Sequence, residues 1–104
     1  MPRAWLVVRA TVADAADRPA FDAWYHAEHM PDAMKAFGVA TAWRGWSQQD
    51  PSVHCAHYRF ESAERLDAVM TGPTIRALIA ELDRCWAADK VTRTREVFVV
   101  GDEF

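Results

Sequence analysis

Two cysteines in 104 residues, Cys55 and Cys85, are too few for a disulfide framework and are not in CxxC spacing. Both read as free, buried thiols, and neither lies in a setting that would make a thiolate nucleophile. Basic clusters are missing as well: 12 Lys and Arg are spread among 15 Asp and Glu, for a net charge of -3. That distribution cannot neutralise a phosphate backbone, which excludes a nucleic-acid partner. No apolar run approaches the roughly 20 residues that cross a bilayer, so we expect no membrane span and a soluble, cytoplasmic protein. The first residues, MPRAWLVVRATV, carry no small-residue cleavage site and continue as alternating sequence, which reads as a strand. Low-complexity tracts and solenoid-period repeats are also lacking. What remains is ordinary globular composition, 51% hydrophobic and 26% charged, of a length that suits a single domain over residues 1–104.

Residues 4–12, AWLVVRATV, have the apolar and β-branched content of a strand covered on both faces. Asp17 then offers an N-cap, with Pro19 in the first turn and Phe21, Trp24, Tyr25 and Glu28 at helical spacing. Pro31 lacks a backbone donor and predicts a kink or stop near His29, followed by a short helical piece ending at Gly38. Residues 39–47 and 53–61 read as strands two and three, paired through the turn QQDP. Ser62 is a cap for a second helix broken at Gly72 and Pro73, and residues 91–100 close the chain as strand four.

This order, βαββαβ, predicts an α+β fold of ferredoxin-like type: a four-stranded antiparallel sheet with helices on one face. Strand one places Trp5 and Val7 on one side and Leu6, Val8 and Ala10 on the other, so both sheet faces are too apolar for water. A second copy of the chain is the simplest cover, which makes a homodimer the expected partner.

Trp24, Tyr25, Glu28, His29 and Pro31 resemble the W-Y-x-x-E-H-x-P segment of EthD-type members of the dimeric α+β-barrel superfamily. Phe37-Gly38-Val39, Trp43-Arg44 and the segment Ala56 to Glu61 are similar, more loosely, to the later strands and turns of that family. Phe37 stands where the family usually has proline, and His54 and His57 stand where aromatic or aliphatic residues are expected. The resemblance implies a dimeric barrel with a ligand cleft between helices and sheet, and a helix-one histidine, here His29, pointing into it. It also implies relatives of mixed activity, including polyketide cyclases, cofactor-free monooxygenases, lactone isomerases and haem-binding proteins.

Glu28 falls on the apolar face of an ideal helix phased from Phe21, where a carboxylate must be paired or neutral. Two readings follow, a structural pair with Lys35, Arg9 or Arg44, or acid/base work by a carboxyl of raised pKa. His29, just before the kink, either caps the broken helix or moves a proton near neutral pH. Tyr58 needs a hydrogen-bond partner if buried, and His29 is a candidate. Trp24, Tyr25 and Trp46 could shape a pocket, Arg44 could hold an anionic group, and His54 lies in the cleft if it shares a face with Ala56, Tyr58 and Phe60; the opposite register would put His57 there. His26 and His29 are not in a zinc-binding motif, and His54 and His57, three apart on a strand, cannot chelate together, so no metal site is assigned. The expected function is cofactor-independent acid/base chemistry on a hydrophobic, aromatic or enol-bearing compound, with His29, Glu28 and Tyr58 as catalytic candidates. A non-catalytic ligand-binding or haem-binding dimer is the alternative.

Overall fold

In the computed structural model, which describes residues 2–104, strand β1 (Ala4–Val12) lies at the centre of the sheet. It is antiparallel to both neighbours, β3 (Val53–Phe60) on one side and β4 (Val91–Val99) on the other, and β2 (Ala42–Trp46) completes the order β2-β3-β1-β4. Alternation sorts the side chains. Leu6, Val8, Ala10 and Val12 of β1 point to the same side as His54, Ala56, Tyr58 and Phe60 of β3, and all are buried. The helices cover that side. Trp5, Val7, Arg9, Trp43, His57 and Phe98 occupy the other face, where Trp43 stacks flat on His57 with ring centroids 3.8 Å apart.

The first helical region begins earlier than Asp17 predicts. Asp14 accepts a hydrogen bond from the Ala16 amide and opens a 3-10 turn, Ala15–Asp17, that runs into α1 (Arg18–Trp24), while the Asp17 side chain makes no cap bond. Nor does the helix break at His29. It widens into one π-helical turn, Tyr25–His29, in which the Met30 amide donates to the Tyr25 carbonyl, and continues as α2 (Met30–Phe37). Proline at position 31 supplies the cause: an α-turn would drive its ring against the carbonyl four residues back, and the wider turn relieves that contact without ending the helix. Gly38 stops it in the left-handed conformation, φ 69°, and its amide and that of Val39 close on the last carbonyls.

Ser62 caps α3 (Ala63–Thr71) through the Arg65 amide, as its position predicts. The Gly72-Pro73 break separates it from α4 (Pro73–Cys85). A Cβ at Gly72 would sit 2.8 Å from the Ala68 carbonyl oxygen, so the join needs a residue without one. Cys85, expected to be buried, is exposed at the end of α4, and Cys55 is half-buried on the outer sheet face; both are free. Phe21, Tyr25, Ala33 and Phe37 from the first helical region and Leu66, Ile75 and Leu82 from the second fill the space over the sheet. Each large apolar side chain so enclosed contributes about 1.5–3 kcal/mol relative to exposure. Among the described residues no helix is long and apolar enough to cross a membrane.

Candidate functional site

The π-turn decides which polar side chain of the first helix faces the core. Residues in an α-helix advance 100° each, which would bring Glu28 under Tyr25, but the wider turn advances each residue less. His29 therefore rotates into line with Phe21 and Tyr25, and Glu28 rotates out. His29 is 7% exposed, whereas Glu28 is exposed and pairs with none of Lys35, Arg9 or Arg44. The expectation of a buried Glu28 is corrected by that one turn. His26, on the far side, is exposed.

Beneath His29 lies a narrow cavity of about 20 Å³, lined by Leu6, Val8, Tyr25, Tyr58, Ile75 and Arg95 among others. That volume suits roughly one water molecule, far below the 300–1,000 Å³ of a typical ligand pocket. Apolar side chains of α4, Ile75, Leu78 and Leu82, form its helical wall. At its edge the hydroxyls of Tyr25 and Tyr58 meet at 3.2 Å, one donating to the other. The partner of Tyr58 is thus Tyr25 rather than His29. Burial pushes the Tyr25 hydroxyl up to about 12, and Tyr58 is pushed up further still by burial and then by the neighbouring Tyr25 oxygen. Both stay protonated at neutral pH.

The His29 ring stacks on Trp24 at 4.7 Å and meets Tyr25 edge to face at 4.8 Å. Desolvation depresses its pKa to about 4, against weaker opposing pulls from Asp32 and Glu81. His29 is therefore a neutral imidazole whose Nδ1 is buried without a hydrogen-bond partner. It does not cap a broken helix end, because the helix continues past it as α2.

A second polar group ties the helix to the sheet. Asp22 Oδ1 accepts from Arg44 Nη1 at 2.7 Å and from Trp46 Nε1 at 2.8 Å, and these donors hold its carboxyl below the usual range. Arg44 Nη1 also lies 3.4 Å from His54 Nε2. His54, fully buried on the helix side of β3, is depressed to about 4 by desolvation and then by the Arg44 cation. His57 takes the opposite face, beside Trp43. Among the expected pocket residues, Tyr25, Tyr58 and His29 come together; Arg44, Trp46 and His54 form a neighbouring group organised by Asp22; and Trp24 backs His29. Sequence reasoning missed Asp22, and it missed Arg95, whose even spacing from Val91 and Val97 in VTRTREVFVV was the available signal.

Chemically, a neutral imidazole with a free nitrogen beside two protonated phenols can accept a proton, pass it on, or hydrogen-bond an oxygen anion. Among the described residues no three His, Cys, Asp or Glu side chains converge as metal ligands.

No family model matches the sequence, and no curated protein is similar to it at the sequence level. Solved structures are similar in fold. A point variant of SnoaB, a cofactor-independent oxygenase from Streptomyces nogalater, superposes with a TM-score of 0.69 at 14% identity, over 99% of this chain and 97% of that one. An EthD family protein from Bacillus halodurans gives 0.64 at 18% identity, over 96% and 99%. A dimeric ferredoxin-like protein from an uncultured marine organism gives 0.59 at 14% identity, over 100% of both. The chain has the ferredoxin-like α+β fold, shared with an EthD family protein as the helix-one segment implied.

Proposed function

We propose that the protein is a soluble, cytoplasmic homodimer that binds a hydrophobic aromatic or enol-bearing compound and performs cofactor-independent acid/base chemistry on it. The observation that carries this reading is the buried trio of neutral His29 and the Tyr25–Tyr58 hydroxyl pair, enclosed by apolar walls. Because the cavity holds only about one water molecule, a compound binds only if the wall of Ile75, Leu78 and Leu82 gives way and its own apolar surface replaces their contacts. His29 then takes a proton from an activated C–H or O–H group, and the two hydroxyls bond the oxygen that gains charge. An imidazole depressed to about 4 is a weak base in the narrow cleft. Proton transfer leaves an imidazolium beside a new anion, and that attraction offsets the desolvation that depressed it.

The fold shared with SnoaB, which is described as a cofactor-independent oxygenase, supports a chemistry carried by side chains and substrate alone. The same cleft without turnover would make a carrier, and the weak basicity of His29 is the feature that favours that second reading. The homodimer reading is supported by the outer sheet face, where Trp43 is 51% and Phe98 46% exposed, and by the dimeric ferredoxin-like relative. Native mass spectrometry of gently purified protein tests the assembly and retained ligands together. A dimer is expected for the wild type and a monomer for Trp43→Glu, which sets a charge in the seam; a wild-type monomer at micromolar concentration would contradict the barrel.

A further inference from the structure

Three cations lie on or beside the helix-facing side of the sheet near the cleft, and two of them are neutralised within the fold. Arg44 is paired with Asp22, and Arg93 reaches from β4 to Asp83 on α4. Arg95 is the third. It stands two residues further along β4, opposite Val8 of β1, half-buried, and lines the same cavity as Tyr25, Tyr58 and His29. Among the described residues it makes neither an ion pair nor a side-chain hydrogen bond. Desolvation is the main influence on it, and the nearest balancing carboxylate, Asp83, is already engaged by Arg93. Its charge is felt by both Tyr25 and His29.

A guanidinium among apolar side chains without a counter-charge is unfavourable unless something else supplies one. Arg95 is half-buried at the lining it shares with Ile75, Leu78 and Leu82, so its head keeps some contact with water and its donors stay free for a ligand. We propose that Arg95 is the specificity-determining residue of the cleft: it receives an anionic oxygen group, a carboxylate or an enolate oxygen, on the planar hydrophobic compound that the cleft binds. The planar fork of donors suits such a group and would orient it with the charged oxygen toward β4 and the ring between the tyrosines and α4. This rests on the cleft reading above and adds the charge of its ligand.

The test compares 2-naphthoate with its neutral isostere 2-naphthamide by isothermal titration calorimetry at pH 7.5, on wild type, Arg95→Gln and Arg95→Lys, each first shown to be folded by circular dichroism. Wild type is expected to bind the acid at least about tenfold more tightly than the amide. Arg95→Gln should erase that preference and leave the amide's affinity unchanged, and Arg95→Lys should recover part of it. Equal wild-type affinity for acid and amide, or equal weakening of both by Arg95→Gln, would overturn the anion role while leaving the cleft in place. Binding of neither probe would overturn the cleft and the anion site with it.

Discussion

Removing one hydroxyl of the Tyr25–Tyr58 pair should cost more than removing both. Among the described residues the two oxygens are each other's only side-chain partners, 3.2 Å apart, on residues 1% exposed. Tyr58→Phe leaves the Tyr25 hydroxyl buried and unpaired, at a cost of about 1–3 kcal/mol, and Tyr25→Phe does the same to Tyr58. The double Phe variant removes donor and acceptor together and replaces them with apolar surface of nearly the same shape, so it should lie within about 1 kcal/mol of wild type. The interaction energy from the cycle, the sum of the two single costs less that of the double, is then about 1–6 kcal/mol in magnitude, outside the about 0.5 kcal/mol scatter of independent sites. Urea denaturation followed by tryptophan fluorescence reads it. With an m-value near 1 kcal/mol/M for a small domain, each single variant should lower the midpoint by about 1 M or more. All variants must be compared at one protein concentration, because dimerisation makes the midpoint concentration-dependent. Single substitutions that leave the midpoint unchanged would refute the reasoning, since they would mean that water already satisfies both hydroxyls.

His29 and His54 make stability depend on pH with a definite sign. Both fold with pKa values depressed from 6.5 to about 4, so between those values the unfolded chain binds more protons than the native one. Stability should rise with pH across that window and level off above it, as read from urea midpoints at pH 4.5, 5.5 and 7.5, and His29→Gln should make the rise shallower. Glu28→Gln should change stability by less than about 0.5 kcal/mol and leave ligand binding unaltered, because the π-turn has put that carboxylate in solvent; a large loss in either assay would restore Glu28 to the site.

Much of the sheet was legible because period-two alternation is a local property. AWLVVRATV and VHCAHYRF show their alternation directly, but which face of the second turns inward stayed open in the sequence, and the structure decides it by placing His54 with Ala56, Tyr58 and Phe60 under the helices. Gly38 and Ser62 were equally readable, each through the local chemistry of a helix end. The site was less so. Pro31 announced a disturbance, but whether a helix answers by breaking or by widening depends on what its two halves pack against. Phe21 before the turn, Tyr25 at its start and Ala33 and Phe37 after it are all held on the same sheet, which favours widening. An ideal 100° phase therefore assigned Glu28 the place that His29 takes. The Tyr25–Tyr58 contact spans 33 residues, and the Asp22 group joins α1 to β2, so both required the tertiary arrangement. Arg95 was hidden because a charged residue on an edge strand reads as solvated, and only the tertiary arrangement brings it to the cavity.

The most direct measurement of the central claim is proton exchange on an enolisable probe. In deuterated buffer at neutral pH, exchange at the activated CH₂ of 2-tetralone, followed by NMR, should be faster with wild-type protein than with buffer alone. It should fall to the buffer rate with His29→Gln while that variant still binds the probe. Exchange by His29→Gln at the wild-type rate would contradict the assignment of His29 as the proton-moving group.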